Sequence, residues 1–248
     1  MNWMKAAAIS AAAALGPLPL QAQTPLDPHR PPDAAIVEYR GTAGAIEAYY
    51  GRPSEVRAAV IYFHGLVVEQ AGREAAAQKG YDVRAFVEGL EQAGFAALAP
   101  LRDRDQKNSP REILEASLDY LVRHAGELPV GLIGFSKGAA LALTASAGSP
   151  RIDALVLLSP GIEDVKEAAL PGCPVFLSAG TADQAGLRRN AALLAERLRA
   201  AGIEVVFRDD YPGDHQWFWR PRPEYWADVI AFLHARLAAQ CRGVLCSK

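Results

Sequence analysis

The sequence predicts an α/β architecture, a mostly parallel central sheet of about eight strands with helices on both faces and no large lid. Three observations lead there. Short apolar runs alternate with amphipathic segments of helical period. The last six of those runs are continuously apolar, as strands covered on both faces must be. The chain has 248 residues and is 50% hydrophobic, which suits one globular domain with a sizeable core.

At the start, MNWMKAAAISAAAALGPLPLQAQ places Lys5 ahead of an apolar stretch from Ala6 to Leu20 and a small-residue site near Ala22. That is the pattern of a secretory signal over residues 1–22, and it predicts an exported, periplasmic or secreted protein. Gly16, Pro17 and Pro19 interrupt the apolar run short of a bilayer span, so no stable membrane insertion is expected. Residues 23–34 read as a proline-rich linker, residues 35–240 as the folded domain and residues 241–248 as a tail. In an oxidising compartment Cys241 and Cys246 are near enough in sequence to pair, although all three cysteines as free thiols is an equal reading.

The strands are expected at Ala35 to Arg40, Ala45 to Tyr50, Ala58 to His64, Phe95 to Pro100, Val130 to Phe135, Asp153 to Ser159, Pro174 to Gly180 and Ile203 to Arg208. The first two leave no room for a helix between them and should form an antiparallel hairpin. Helices are expected at Asp82 to Ala93, Pro110 to His124, Ser136 to Ala147, Gln184 to Ala201 and Pro223 to Ala239. Gly94, Gly126, Gly148 and Gly202 stand where four of them should stop.

The formal charge of −2, with no block of lysine and arginine, gives no electrostatic reason to expect nucleic acid or an anionic membrane as partner. A small molecule is the expected partner; oligomeric state is left open. No cysteine spacing suggests a metal, and no cofactor is implied.

Gly134-Phe135-Ser136-Lys137-Gly138 is a G-x-S-x-G pentapeptide between a buried strand and a helix of small residues. In such a turn the serine backbone is strained, and the positions two before and two after have no space for side chains. Serine is also a favoured helix N-cap, so the motif alone does not separate nucleophile from cap. A serine nucleophile needs an imidazole base held by a carboxylate. Of five histidines, His215 lies in a loop after the last expected strand, at the sheet edge where such folds place chemistry. Asp183, just past the strand ending at Gly180, is the expected acid, with Glu163 and Asp164 as rivals.

The order Ser136, Asp183, His215 is that of the α/β-hydrolase triad. From Ala58 to the last helix, through YFHG, GFSKG, SAGTAD and GDHQW, the chain resembles the α/β-hydrolase superfamily and its small dienelactone-hydrolase-like members. Dienelactone hydrolases proper carry cysteine where this chain has Ser136, so the resemblance supports shape more than substrate. It implies an oxyanion hole made by the backbone N–H groups of Leu66 and Lys137. It also implies that His64 braces the loop after its strand. His64, Arg102, Arg104 and Trp217 are candidate substrate-binding residues, the arginines for a carboxylate and Trp217 for an apolar acyl group. Residues 160–172 are too few for a large lid, which suits soluble substrates.

The expected function is therefore that of a serine hydrolase cleaving a carboxylic ester or related acyl bond through an acyl-enzyme. Two alternatives stand beside it: a prolyl-oligopeptidase-like peptidase, and a catalytically silent hydrolase-like binding protein.

Overall fold

The computed structural model describes residues 34–245, all within one compact unit. The expected leader, nearly all of the linker and the proposed Cys241–Cys246 pairing lie outside the described residues and side chains. Eight strands form one sheet: β1 (Ala35–Arg40), β2 (Ala45–Gly51), β3 (Ala58–Phe63), β4 (Phe95–Pro100), β5 (Val130–Phe135), β6 (Ala154–Leu158), β7 (Val175–Gly180) and β8 (Val205–Tyr211). Their order across the sheet is β1-β2-β4-β3-β5-β6-β7-β8. β2 pairs antiparallel with both neighbours, and every other pairing is parallel.

The helices are α1 (Leu66–Ala71), α2 (Arg73–Gln78), α3 (Val83–Gln92), α4 (Pro110–Ala125), α5 (Lys137–Ser146), α6 (Ala185–Ala200) and α7 (Pro223–Leu245). A 3-10 helix spans His215–Trp219. Local chemistry sets several boundaries. Asp82 caps α3 by accepting the Arg84 N–H, and Ser109 with Glu112 forms a capping box at the start of α4. Gly126 takes φ 87 just past α4, where a residue with a side chain would be strained.

Alternation along the strands sorts the core into two layers. Ala59, Ile61 and Phe63 of β3 face a cluster completed by α4, α5 and α6, whereas Val60 and Tyr62 face one completed by α3 and α7. The chain runs β3 to β4 on one side and returns to β5 on the other. The carboxyl ends of β3 and β5 therefore lie side by side at the point where strand order reverses, the usual location of a crevice in an open α/β sheet.

Three expectations need correction. α1 and α2 were not anticipated, because each is six residues long and Gly72, at φ 84, breaks the period between them. β8 starts two residues later than expected and is only half-buried, because it pairs with β7 alone. α7 runs past Ala239 into what reads as a tail.

Candidate active site

Ser136 follows the last residue of β5 with φ 54 and ψ −122, a conformation disfavoured for any residue with a side chain. Its neighbours explain how the turn is possible. A Cβ on Gly134 would stand 2.5 Å from the Cα of Ala139. One on Gly138 would overlap the Phe63 carbonyl oxygen and lie 2.5 Å from that of His64. The glycines let the serine turn and the end of β3 pack backbone to backbone. Ser136 occupies the N-cap position of α5 yet makes no side-chain capping bond. Its Oγ is instead 2.8 Å from His215 Nε2.

His215 opens the 3-10 helix, which Asp214 caps by accepting the Trp217 N–H at 2.9 Å. That bond commits Asp214 Oδ1 to the start of the helix. The loop carrying Asp183 is tied to the one carrying His215 by Thr181 N–H to Tyr211 O at 2.7 Å and Ala182 N–H to Gly213 O at 2.9 Å. Asp183 Oδ1 thereby comes within 3.3 Å of His215 Nδ1, and the Asp183 side chain is fully buried. Burial alone would raise the carboxyl pKa. Hydrogen bonds from His215 and Ser159, attraction to the imidazole and the Gln184 N–H outweigh it and hold the group below its ordinary value. The rivals lie elsewhere: Asp164 is exposed and accepts the N–H groups of Lys166 and Glu167.

Leu66 and Lys137 are the first residues of α1 and α5, so their N–H groups have no carbonyl one turn earlier to bond. Gly65 lies against the elbow: a Cβ there would be 2.9 Å from the Phe135 ring and 3.4 Å from Ser136 Cβ. Two free amides at helix starts beside the serine can hold an oxyanion.

The loop bearing Leu66 is braced from below. His64 Nε2 accepts the Arg102 N–H at 2.8 Å, so Nδ1 carries the ring proton and donates to Gly65 O at 3.0 Å. Burial, then the Arg102 and Lys137 charges, push the His64 pKa well down and keep the ring neutral. Tyr81 Oη accepts the Gly65 N–H at 2.9 Å, and Lys137 Nζ donates to Glu69 at 2.7 Å, joining the starts of α1 and α5. No short sequence motif marks Tyr81 or Glu69 for this work.

The expected substrate-binding residues divide accordingly. His64 is wholly buried with both ring nitrogens occupied, so it braces the loop and does not meet substrate. Arg102 is only 5% exposed. The bond from its own N–H to His64 turns the side chain inward, where Nη2 donates to the His64 carbonyl and Nε faces Glu69 at 3.9 Å. Burial lowers its pKa to about 10, which leaves it charged at neutral pH. Trp217 is half-buried against Tyr211, Phe218 and Tyr225, a packing position. Arg104 is exposed on the loop after β4. Among the described residues no cluster of histidine, cysteine, aspartate or glutamate is arranged to hold a metal ion. None of the described helices is long and apolar enough to cross a membrane.

An eight-stranded sheet of this order, with a serine elbow, an imidazole and a buried carboxylate at its carboxyl edge, defines an α/β-hydrolase. A sequence profile of the dienelactone hydrolase family matches residues 46–231, and the chain belongs to that family, a hydrolase of ester bonds. Solved structures share the fold. A protein of unknown function from Agrobacterium tumefaciens superposes with a TM-score of 0.65 at 19% identity, over 83% of this chain and 97% of its own. An esterase of Pyrococcus furiosus gives 0.63 at 19% identity, over 82% and 93%. Thermogutta terrifontis esterase 2, phosphorylated by paraoxon, gives 0.62 at 18% identity, over 82% and 94%. No curated protein matches the sequence.

Proposed function

We propose that this protein cleaves soluble carboxylic esters or related acyl compounds through a covalent acyl-enzyme, with Ser136 as nucleophile, His215 as base and Asp183 as its carboxylate partner. The observation that carries this reading is the 2.8 Å contact between Ser136 Oγ and His215 Nε2, made by a serine that declines its capping bond. Ser136 Oγ attacks the acyl carbon as its proton passes to His215 Nε2, and the oxyanion falls between the N–H groups of Leu66 and Lys137. The imidazolium then protonates the leaving alcohol. Water, deprotonated by the same nitrogen, releases the acid and restores the serine. Arg104, exposed beyond β4, is the remaining candidate for contact with a substrate carboxylate.

A fluorophosphonate probe tests the reading. It should modify Ser136 stoichiometrically and abolish hydrolysis of p-nitrophenyl acetate. Intact Ser136 in folded protein would favour a silent hydrolase-like protein. Export is part of the proposal, supported by Lys5, the apolar stretch to Leu20 and the small-residue site near Ala22. The mass of protein recovered from the periplasm or medium should place the mature N-terminus near Gln23.

A further inference from the structure

Ser136 and Ser159 are the only non-glycine residues with positive φ among the described residues. The strain at Ser136 belongs to the elbow. Ser159, at φ 42, has no such motif around it, yet it too stands at the carboxyl edge of the sheet, directly after β6. Such backbone persists where its surroundings hold it in place, and it gathers at functional sites. Here the Ser159 N–H donates to Ser178 O at 2.8 Å, and the residue has no solvent exposure.

That backbone aims the Ser159 hydroxyl between Asp183 and His215. Its Oγ is hydrogen-bonded to Asp183 Oδ2 and is 2.8 Å from His215 Nδ1, nearer than the 3.3 Å from that nitrogen to Asp183 Oδ1. A hydroxyl has one proton to give. An ionised carboxylate can only accept, so the Ser159 proton goes to Asp183. The oxygen must then accept from Nδ1–H, which leaves the Nε2 lone pair facing Ser136.

We propose that Ser159 is a positioning residue, its hydroxyl bridging Asp183 Oδ2 and His215 Nδ1 so that the carboxylate orients the imidazole and selects its tautomer in part through it, beside the direct Asp183–His215 contact. The inference rests on the proposed triad and extends it to a fourth side chain. No proton is transferred through the bridge; Nδ1 keeps its hydrogen throughout.

The test compares the full-length protein with Ser159→Ala, Ser159→Gly, Asp183→Asn and the Ser159→Ala/Asp183→Asn double variant, using p-nitrophenyl acetate turnover, fluorophosphonate labelling and melting temperature. Glycine accepts positive φ without strain, so Ser159→Gly removes the hydroxyl while easing the backbone, and it carries the test if the alanine variant folds poorly. Both single Ser159 variants should lose roughly tenfold to a hundredfold in kcat with KM within about twofold. The double variant should be no slower than Asp183→Asn alone, because the two groups act as one unit. The wild-type rate in Ser159→Ala overturns the bridge while leaving the triad standing. So does recovery of that rate in Ser159→Gly alone, which would assign the effect to backbone strain, or a double variant that loses both factors independently. Wild-type protein that folds but is not labelled at Ser136 overturns the triad and the bridge together.

Discussion

Ser136 Oγ and His215 Nε2 stand 2.8 Å apart although 79 residues separate them in sequence. Backbone brings the two residues together: the serine turn after β5, the start of the 3-10 helix, and the strand order that places both at one edge. The hydroxyl is directed at the imidazole that the proposed mechanism uses as its base. What remains for Asp183 is to fix the ring. Asp183→Asn should therefore keep the fold and KM while kcat falls by about 10³ to 10⁴, because an amide that donates to Nδ1 presents the wrong tautomer to the serine. Turnover and melting temperature measured together check this; near-normal turnover would overturn Asp183 as the carboxylate partner.

The glycines flanking Ser136 should be irreplaceable for steric reasons independent of chemistry. The Cβ of Gly138→Ala would overlap the Phe63 carbonyl, which is backbone and cannot swing aside. The expected loss is about 3 kcal/mol or more in urea unfolding, with poor recovery of folded protein. Gly186→Ala, exposed in the first turn of α6 with nothing within 4 Å, should instead gain about 0.5 to 1 kcal/mol. Equal effects at the two positions would refute the packing account.

Gly134 and Gly138 were legible in the sequence because G-x-S-x-G between strand and helix states a backbone geometry and not merely a composition. Asp183 and His215 were legible for a related reason, since loops after consecutive strands must share the sheet's carboxyl edge. Ser159 was not. A serine ending a strand is commonplace, and its φ and its burial between two partners exist only in the folded chain. Arg102 misled in the opposite direction: a charged residue in a polar loop reads as available to a substrate carboxylate, and nothing local reveals that its own N–H binds His64 and that its side chain is buried. The half-exposed β8 was read as buried because apolar content does not tell a central strand from one with a single neighbour.

Acid should destabilise the protein through its buried histidine. Burial, Arg102 and Lys137 hold His64 well below its ordinary 6.5, so the folded chain keeps it neutral where the unfolded chain protonates it. The unfolded state then binds more protons as pH drops. The stability is fully present above about pH 6.5 and is lost as pH falls toward the folded value, at up to about 1.4 kcal/mol per pH unit. His234, also lowered by burial, adds in the same direction. Urea midpoints should decline between about pH 7.5 and 5.5, with the decline reduced in His64→Gln. Constant midpoints over that range would contradict a neutral buried His64.

Tyr81 offers a way to separate the oxyanion loop from general stability. Its hydroxyl accepts the Gly65 N–H at 2.9 Å and lies 2.9 Å from the hydroxyl of Tyr62, with no solvent reaching either ring. Tyr81→Phe leaves the Gly65 N–H and the Tyr62 hydroxyl without partners in a dry interior, a loss of about 1 to 3 kcal/mol for each group. Gly65 immediately precedes Leu66, whose N–H is proposed to hold the oxyanion, so kcat should fall along with melting temperature. Tyr62→Phe is the matched control. It deprives Tyr81 of one partner but leaves the bond to Gly65, so it should lower stability with little change in kcat. If both variants reduce kcat in proportion to their loss of stability, Tyr81 is a packing residue and the loop is held by His64 and the Lys137–Glu69 ion pair alone.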